Sequence, residues 1–439
     1  MNKEKHIVVR EFDLITNNPD YKDSPEYAYL DNKTFSELKQ FIHAYAANEE
    51  NADALDFFKE GYSRRLHDYI QVKNYVGLIQ LDSGFQIQIL PKINLSTGED
   101  ASNSETMQIF MRMLKCMKDF PGKVFNTASL NTDKMDLYEV FISMYLRQVR
   151  ELTKRGLKSA YQRVEDNLTY YKGKLLVSKQ LKKNLSHEER FYVQFDEFNL
   201  NRAENRLIKA TLCKLQKISN TQENIKAIRQ LLPYFEQVDV STNYSKDFAN
   251  VIIDRNTKEY ESLMVWSKVF LLDKNFTTFS GDTSAKALLF PMEKVFEAYV
   301  AKMMKQTLSE KGCEVSAQDR GYYLFKLEER QIFALRPDIV ITCPDGHKII
   351  MDTKWKRLIN NPKKNYGISQ GDMYQMYAYA KKYETQEYGI PEIWLLYPRT
   401  EDMQESFEFA SNDGVHVHVY FIDLADVDAF ERMREILVI

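Results

Sequence analysis

The segment from Leu335 to Trp355 constrains the fold more than any other part of the chain. It consists of two apolar stretches on either side of Pro344-Asp345-Gly346, a pattern that predicts a β-hairpin. If these three residues form the loop, counting back along both strands places Asp338 directly opposite Asp352, and Lys354 projects from the same face. A two-residue loop would shift the pairing by one and separate the two acids.

Two facing acids and a lysine are a chemically specific group. Directly opposed Cβ atoms lie roughly 4.5 to 5.5 Å apart, and two carboxylates at about 5 Å repel by about 3 kcal/mol at an effective dielectric near 20. A bound cation relieves that repulsion, and oxygen ligands favour Mg²⁺. A lysine beside the metal can orient or help deprotonate a water that attacks phosphorus. The set predicts metal-assisted phosphodiester hydrolysis; the alternative is an acid pair at a solvated sheet edge.

Two predicted helices flank this hairpin in the sequence. The helix after it carries Asp372, Gln375 and Tyr379 on one stripe. The helix before it carries Glu297 at the margin of its apolar stripe, and Glu293 lies one turn earlier. Either glutamate could supply a third oxygen to a metal if the helix packs over the sheet. The alternative is that the stripe is a polar helix edge and the glutamates are surface acids.

The length and the apolar spacing predict several domains. A chain of 439 residues is expected to form about three. Residues 1–125 are rich in β-prone stretches, residues 126–280 have mostly helical spacing, and residues 281–439 alternate helices and strands. The predicted fold class is multidomain α+β, with a β-rich N-terminal domain, a mostly helical middle domain and a C-terminal α/β domain with a central mixed sheet.

Composition and missing motifs exclude several classes of protein. No apolar stretch approaches the ~20 residues that cross a bilayer, and the start, Met1–Arg10, lacks a secretory signal. We therefore expect a cytoplasmic protein with no membrane partner. There is no G-x-x-x-x-G-K-[ST] loop, so no GTP site is expected in this chain. The cysteines are far apart in the sequence, which argues against zinc ribbons, iron–sulfur clusters and disulfides and favours reduced core thiols: Cys116, Cys213, Cys313 and Cys343.

A lysine run in the middle region is the clearest local basic patch. Lys plus Arg (60) nearly balance Asp plus Glu (63), so affinity for nucleic acid would have to come from such a patch. The run has five lysines and no acid: Lys172, Lys174, Lys179, Lys182 and Lys183. It is either a solvated face or a surface that contacts DNA phosphates or an acidic partner.

Several motifs together resemble one family. The C-terminal ones are Arg336-Pro-Asp-Ile, Asp352-Thr-Lys-Trp-Lys356 and Asp372-Met-Tyr-Gln-Met-Tyr-Ala-Tyr379. The upstream ones are Asn74-Tyr-Val-Gly-Leu-Ile, Ile87-Gln-Ile-Leu-Pro-Lys92, Lys172-Gly-Lys-Leu-Leu, Phe195-Asp-Glu-Phe and Asn205-Arg-Leu-Ile-Lys209. The chain resembles the McrC family, the nuclease subunits of McrBC-type 5-methylcytosine restriction systems, over nearly its whole length.

The resemblance implies a function and a set of site residues. The C-terminal domain would be a PD-(D/E)XK endonuclease that uses Mg²⁺, or Mn²⁺ in its place. Asp338, Asp352 and Glu297 would be its metal ligands, Lys354 the catalytic lysine, and Gln375 with Tyr379 a Q-x-x-x-Y element. The upstream domains, the β-rich N-terminal one included, would bind a hexameric McrB-like AAA+ GTPase and stimulate it, and the substrate would be double-stranded DNA carrying modified cytosine. At the D/E position of the PD-(D/E)XK motif this sequence has Asp352, whereas the commoner form of the motif has Glu.

Two other functions are compatible with parts of the sequence. One is an autonomous RecB-like nuclease, although the four clustered cysteines of the Cas4 type are missing. The other is a non-catalytic adaptor that couples an AAA+ ring to DNA, which an intact set of Asp338, Asp352 and Lys354 disfavours.

Overall fold

The computed structural model of the protein describes residues 6–46, 58–81, 83–93, 102–118, 120, 137–272 and 287–437. The chain divides into two compact units, of which the first combines Met1–Lys134 with Lys286–Ile439 and the second is Met135–Ala285. The two ends of the chain therefore belong to one unit. None of the helices in the described ranges has the length and apolarity to cross a membrane.

The N-terminal part of the first unit is mainly β-sheet, as predicted. Its helix α2 begins with a capping box. The Glu105 N–H donates to the Ser102 side chain, and the Ser102 N–H donates to the Glu105 carboxylate. The elements are β1 (His6–Arg10), β2 (Leu14–Thr16), β3 (Ala28–Tyr29), α1 (Asn32–Ala46), β4 (Phe58–Ser63), β5 (His67–Val72), β6 (Tyr75–Gln80), β7 (Gln86–Leu90) and α2 (Asn103–Leu114).

The second unit consists of helices and one small antiparallel sheet. The strands are ordered β8-β10-β9 and occupy the stretch between the first two long helices. The elements are α3 (Leu137–Arg155), β8 (Ala160–Leu168), β9 (Lys174–Leu175), α4 (Val177–Lys183), β10 (Phe191–Asn199), α5 (Ala203–Ile218), α6 (Gln222–Leu231), α7 (Tyr244–Ala249) and α8 (Glu261–Leu272). The helical spacing of the sequence identified the long helices, and the sheet was not predicted.

The C-terminal part of the first unit alternates strands and helices. The elements are β11 (Ala287–Pro291), α9 (Met292–Leu308), β12 (Glu314–Ala317), β13 (Tyr323–Leu327), β14 (Arg330–Ala334), β15 (Ile339–Thr342), β16 (Lys348–Thr353), α10 (Gln370–Tyr383), β17 (Glu392–Pro398), β18 (Phe407–Ala410), β19 (His416–Ile422) and α11 (Ala429–Ile436). The short 3₁₀ turns within the described residues are Pro19–Tyr21, Leu232–Phe235, Lys258–Tyr260, Ser309–Lys311 and Pro362–Gly367.

A six-stranded mixed sheet organises this part of the unit. Its order is β12-β15-β16-β17-β19-β18, with β16, β17 and β19 parallel and the other pairs antiparallel. Helix α9 packs on β12 and β16, and α10 packs on β16 and β17. The apolar spacing over residues 332–343 predicts one strand. Two strands form instead, because Pro337 has no N–H to donate to the ladder: β14 pairs with β13, and β15 begins after the proline.

A second sheet of the first unit joins distant parts of the chain. Strand β11 pairs antiparallel with β6 in the order β1-β7-β6-β11. Gly77 is required there, because a Cβ at this position would lie 1.8 Å from the carbonyl oxygen of Leu288. The Trp355 indole also donates to both carboxylate oxygens of Glu11, at 3.0 and 3.1 Å. The predicted boundaries at 125/126 and 280/281 lie outside the described residues, so the three-domain division stays a prediction.

Glu11 makes a testable contribution to stability. Burial raises its pKa from 4.5 to about 8, although Lys92 N–H and the Trp355 indole donate to it. The folded protein therefore holds this proton more tightly than the unfolded chain. The stabilisation is complete below pH about 4.5 and is lost as the pH rises to about 8, a change of roughly 3–5 kcal/mol.

We expect the Glu11→Gln variant to lose this pH dependence, since glutamine does not titrate. Chemical denaturation from pH 5 to 8.5 should show the stability of the wild type falling relative to that of the variant as the pH rises. The exposed Glu26→Gln serves as the control for loss of one carboxyl. A wild-type-minus-variant difference that stays constant with pH would contradict the expectation.

Candidate functional site

The hairpin β15–β16 has the register that the three-residue loop predicts. Ile339 pairs with Met351 and Thr342 with Lys348. The Cys343 N–H donates to the carbonyl of His347 at 2.9 Å, which closes the loop. Continued by one residue, this register places Asp338, just before β15, opposite Asp352 in β16. The two carboxylates therefore meet at the end of the hairpin away from the turn.

Asp352 is the most buried acid of the group. Only 1% of the residue is exposed, and its Oδ2 forms an ion pair with Lys354 Nζ. Apart from that ion pair, this buried oxygen has no hydrogen-bond partner in the part of the chain that the structure describes. Burial, followed by the charge of Asp338, raises the pKa of Asp352 to about 7. Burial alone would lower the pKa of Lys354, but Asp352 and Asp338 outweigh it and raise that pKa.

Asp338 is held by its neighbour across the hairpin. Its Oδ2 accepts hydrogen bonds from the N–H and the hydroxyl of Thr353, both at 2.7 Å. Burial nevertheless raises the pKa of Asp338. The backbone of Asp338 accepts from the N–H of Gln318, which ties it to the residue after β12. The carboxylate is thus fixed in place while it stays near Asp352 and Lys354.

Glu297 is the better of the two candidate helix acids. Its Oε1 accepts from Gln318 Nε2 at 2.9 Å. Burial and then the charge of Asp338 raise the pKa of Glu297, so its carboxyl lies near the acid pair. Glu293, in contrast, is exposed, and its Oε1 accepts from Asn74 Nδ2 at 3.4 Å. The carboxyl of Glu297 therefore lies at the candidate site, whereas the carboxyl of Glu293 lies beside Asn74.

Helix α10 presents a polar edge to the acids. The Gln375 amide donates to the Tyr379 hydroxyl at 2.8 Å. Burial and the charges of Asp352 and Asp338 raise the pKa of Tyr379, which places its hydroxyl close to both acids. Asp372 also raises the pKa of Asp352, as a smaller effect. All six predicted catalytic residues therefore converge on one region of the first unit.

Three residues of this region were not predicted from the sequence. Thr353 fixes Asp338, and Gln318 links Glu297 to the Asp338 backbone. The buried hydroxyl of Tyr397 lacks a hydrogen-bond partner within the described residues, and burial, Asp372 and Asp352 raise its pKa. Thr353 could have been noticed as a neighbour of the motif aspartate. Gln318 carries no sequence signal, and Tyr397 is found only by the parallel pairing of β16 and β17.

The acids of this region offer the type of donor that a divalent cation takes. Three carboxylates, from Glu297, Asp338 and Asp352, lie close enough for Asp338 to raise the pKa of the other two. One oxygen of Asp352 is buried and lacks a hydrogen bond in the described part of the chain. Hard oxygen donors of this kind suit Mg²⁺. A different group, Cys343, Asp345 and His347, has ligand atoms within 4.8 Å of one another at the turn of the same hairpin.

The five lysines of the predicted basic patch belong to the second unit. Lys179 forms an ion pair with Glu165. Lys172 lies over the Phe195 ring at 3.9 Å, and Lys183 lies over Tyr192 at 5.1 Å. Lys174 and Lys182 are exposed, like the other three. Large apolar side chains are also exposed in this sheet, in α4 and in the segments that adjoin them, namely those of Tyr161, Tyr170, Tyr171, Val177, Leu181, Leu185 and Phe198.

Comparisons with known proteins identify the family. No curated protein matches the chain significantly. A chain of the solved half-complex from a tetradecameric assembly of Thermococcus gammatolerans McrB AAA+ hexamers with bound McrC is similar in structure, with 19% identity, TM-score 0.68, and 98% of this chain and 100% of that chain covered. A chain of the T. gammatolerans McrBC complex is 20% identical, with TM-score 0.48 and coverage of 69% and 88%. A family model described as "McrBC 5-methylcytosine restriction system component" matches residues 70–398. Since this match spans well over half of the chain, the protein belongs to the McrBC 5-methylcytosine restriction system component family.

Proposed function

We propose that this chain is the DNA-cutting subunit of a modified-cytosine restriction system. It would hydrolyse phosphodiester bonds with Mg²⁺ at a PD-(D/E)XK site when it is assembled with a hexameric McrB-like AAA+ GTPase, which it would stimulate. The observation that carries the proposal is the convergence of Asp338, Asp352 and Lys354 at one end of a hairpin, with Glu297 beside them. Membership of the family makes a restriction function the natural context for that chemistry.

The geometry gives each residue a role. Glu297, Asp338 and Asp352 would hold Mg²⁺, which would supply Lewis-acid stabilisation of charge at the phosphate. Asp352 holds the ammonium of Lys354 through their ion pair. That ammonium can orient a water or donate a hydrogen bond to a phosphate oxygen. The hydrogen bond to the fully buried Tyr379 fixes the side chain of Gln375 at the edge of the acids, where Gln375 can position the substrate.

The test of the proposed function is a cleavage assay with the whole assembly. The full chain, a McrB-like AAA+ protein from the same source, GTP and Mg²⁺ are incubated with two DNAs that differ only in 5-methylcytosine. Cleavage of the modified DNA, dependent on GTP and on both proteins, supports the proposal. Failure to cut either DNA, when both proteins are folded and GTP is hydrolysed, would contradict it.

The second unit supplies a surface suited to a protein partner. Leu181 is 61% exposed and Leu185 is 76% exposed, and Tyr161 and Phe198 are exposed at paired positions of β8 and β10. Large apolar side chains that are exposed together mark interaction sites, and such side chains are frequent in this stretch of the second unit. Lys179, in contrast, already has a carboxylate partner in Glu165. These observations favour the AAA+ ring over DNA as the ligand of this surface.

We expect the double variant Leu181→Asp/Leu185→Asp to bind the ring at least about tenfold more weakly, since hot-spot apolar contacts of this kind are worth more than 1 kcal/mol each. The matched variant Lys182→Gln/Lys183→Gln should leave the salt dependence of DNA binding unchanged. Each is measured on the full chain by titration with the ring and with DNA. If the lysine variant lost about two units of salt slope while the apolar variant bound the ring normally, this surface would belong to DNA instead.

A further inference from the structure

Three chemically reactive side chains lie side by side at the adjoining ends of strands β12, β15 and β16: Cys313, Cys343 and His347. The antiparallel register of β12 and β15 pairs Glu314 with Thr342, so the preceding residue Cys313 lies opposite Cys343. The register of β15 and β16, with the hydrogen bond from Cys343 to His347, places those two residues opposite each other as well. Directly opposed residues of a sheet point to the same face. Residues far apart in the sequence thus form one cross-strand cluster.

The contacts within this cluster are close. Cys313 lies opposite Cys343 in the register that β12 and β15 continue. One ligand atom each from Cys343, Asp345 and His347 lies within 4.8 Å of the others. His347 Nδ1 lies 2.7 Å from Asp345 Oδ1, and the His347 N–H donates to the same oxygen at 3.1 Å. Cys343 is buried, whereas Asp345 in the turn is exposed, so the cluster has a closed side and an open side.

We propose that Cys313, Cys343, His347 and Asp345 form a binding site for one thiophilic divalent cation of the Zn²⁺ type, separate from the carboxylate site. The thiolate, imidazole and carboxylate of the three grouped residues leave one position of a tetrahedral site, which the Cys313 thiolate, opposite Cys343 in the sheet register, would fill. Sulfur and imidazole ligands select zinc over magnesium, so the two sites differ in the metal that they prefer. No sequence motif indicates this site, because the two cysteines are 30 positions apart and lack a C-x-x-C spacing.

The position of this site suggests what the ion does. Its ligands lie just before β12, just after β15 and just before β16, and in the turn that joins β15 to β16. The other end of the same hairpin carries Asp338 and Asp352, about 17 Å away at ~3.4 Å per residue. An ion bound at the turn would pin the register that keeps those two acids opposite each other. Because the ligands come together only in the folded sheet, the binding free energy stabilises the fold. This inference does not depend on the proposed nuclease function.

The experiment titrates the full chain with metal. The protein is kept reduced, stripped with a chelator, and titrated with Co²⁺, whose tetrahedral thiolate complexes absorb in the visible and near ultraviolet. We expect one equivalent of Co²⁺ to produce this spectrum and Zn²⁺, but not an excess of Mg²⁺, to displace it. Zn²⁺ should also raise the melting temperature of the stripped protein by several degrees.

Matched variants locate the ion. Cys313→Ser and His347→Asn should each abolish the sulfur-to-cobalt absorption or weaken Co²⁺ binding at least tenfold. Cys213→Ser and Asp352→Asn should leave the spectrum unchanged, since neither residue lies in the cluster. Circular dichroism of the serine variant confirms that it is folded.

Several outcomes would overturn the inference. One is a reduced wild-type protein that binds no stoichiometric Co²⁺. The same conclusion holds if Cys313 and Cys343 are found as a disulfide before reduction and the reduced protein then binds no Co²⁺. Another is a thiolate spectrum that survives in Cys313→Ser, and a third is loss of the spectrum in Asp352→Asn. A protein that shows the spectrum but never cuts DNA would refute the proposed function alone, so the two failures are distinguishable.

Discussion

Asp352→Asn is expected to abolish DNA cleavage, with a rate loss of roughly a thousandfold or more, and to leave the protein folded. Asparagine keeps the shape of the side chain but removes a charge that burial and Asp338 make costly, as the raised pKa of Asp352 shows. Lys354 loses its ion-pair partner in this variant but keeps the charge of Asp338 nearby, so we expect the melting temperature to stay the same or to rise, which is common when a residue kept for function is replaced. Cleavage with the partner ring and Mg²⁺, and thermal unfolding, are measured on the same preparation.

Lys354→Ala should lose cleavage to a similar extent but should also lower stability. Removing one partner of a buried ion pair leaves the other charge uncompensated, and here Asp352 would be left without its lysine. The two variants thus differ in stability while agreeing in activity. Wild-type cleavage by either one would refute the assignment of the site.

The two helix acids provide a matched control within one turn of helix. Glu297→Gln should reduce cleavage strongly, because Glu297 lies near Asp338. Glu293→Gln should cut normally, because Glu293 is exposed and faces Asn74. Activity lost in Glu293→Gln and kept in Glu297→Gln would reverse this choice.

Ca²⁺ in place of Mg²⁺ should bind yet support little cleavage in the wild type, since its looser coordination positions a water poorly.

The register of the β15–β16 hairpin and the position of helix α10 could be predicted from the sequence, because a turn and a helix depend on residues close together in the chain. The turn residues 344–346 fix the loop length, and the loop length fixes the register that places Asp338 opposite Asp352. The helix that was expected to carry Asp372, Gln375 and Tyr379 forms as α10, and the Ser369 side chain caps its start. The choice between Glu293 and Glu297 was beyond the sequence, because it depends on how α9 packs on the sheet.

Long-range pairings were also beyond the sequence. Strand β11 joins β6 across about two hundred residues, and the Trp355 indole bonds to Glu11 near the other end of the chain. No local periodicity encodes such a pairing. The consequence is practical: a fragment that begins near residue 280 would lose both contacts, so we expect it to be destabilised. The catalytic part is therefore better tested in the full chain than in isolation.

Cutting and stimulation of the GTPase are expected to be separable by point mutation. All six candidate catalytic residues belong to the first unit, whereas the exposed apolar surface around Leu181 and Leu185 belongs to the second. Asp338→Asn should therefore bind the McrB-like ring and raise its GTP hydrolysis as the wild type does, while DNA cleavage falls by roughly a thousandfold or more. Asparagine preserves an oxygen that can accept the hydrogen bonds from Thr353, so the hairpin should keep its structure.

The variant Leu181→Asp/Leu185→Asp should show the opposite behaviour, with weak stimulation of GTP hydrolysis at ring concentrations that saturate the wild type. Its carboxylate site is unaltered, so cleavage should return when the ring is raised to compensate for the lost affinity. The decisive assay follows GTP turnover and DNA cleavage in the same reaction for both variants. A contrary result would be that Asp338→Asn still binds the ring but loses both GTPase stimulation and cleavage. The acids would then take part in GTPase stimulation as well as in cutting. The assignment of cutting to the first unit and of stimulation to the second would be wrong.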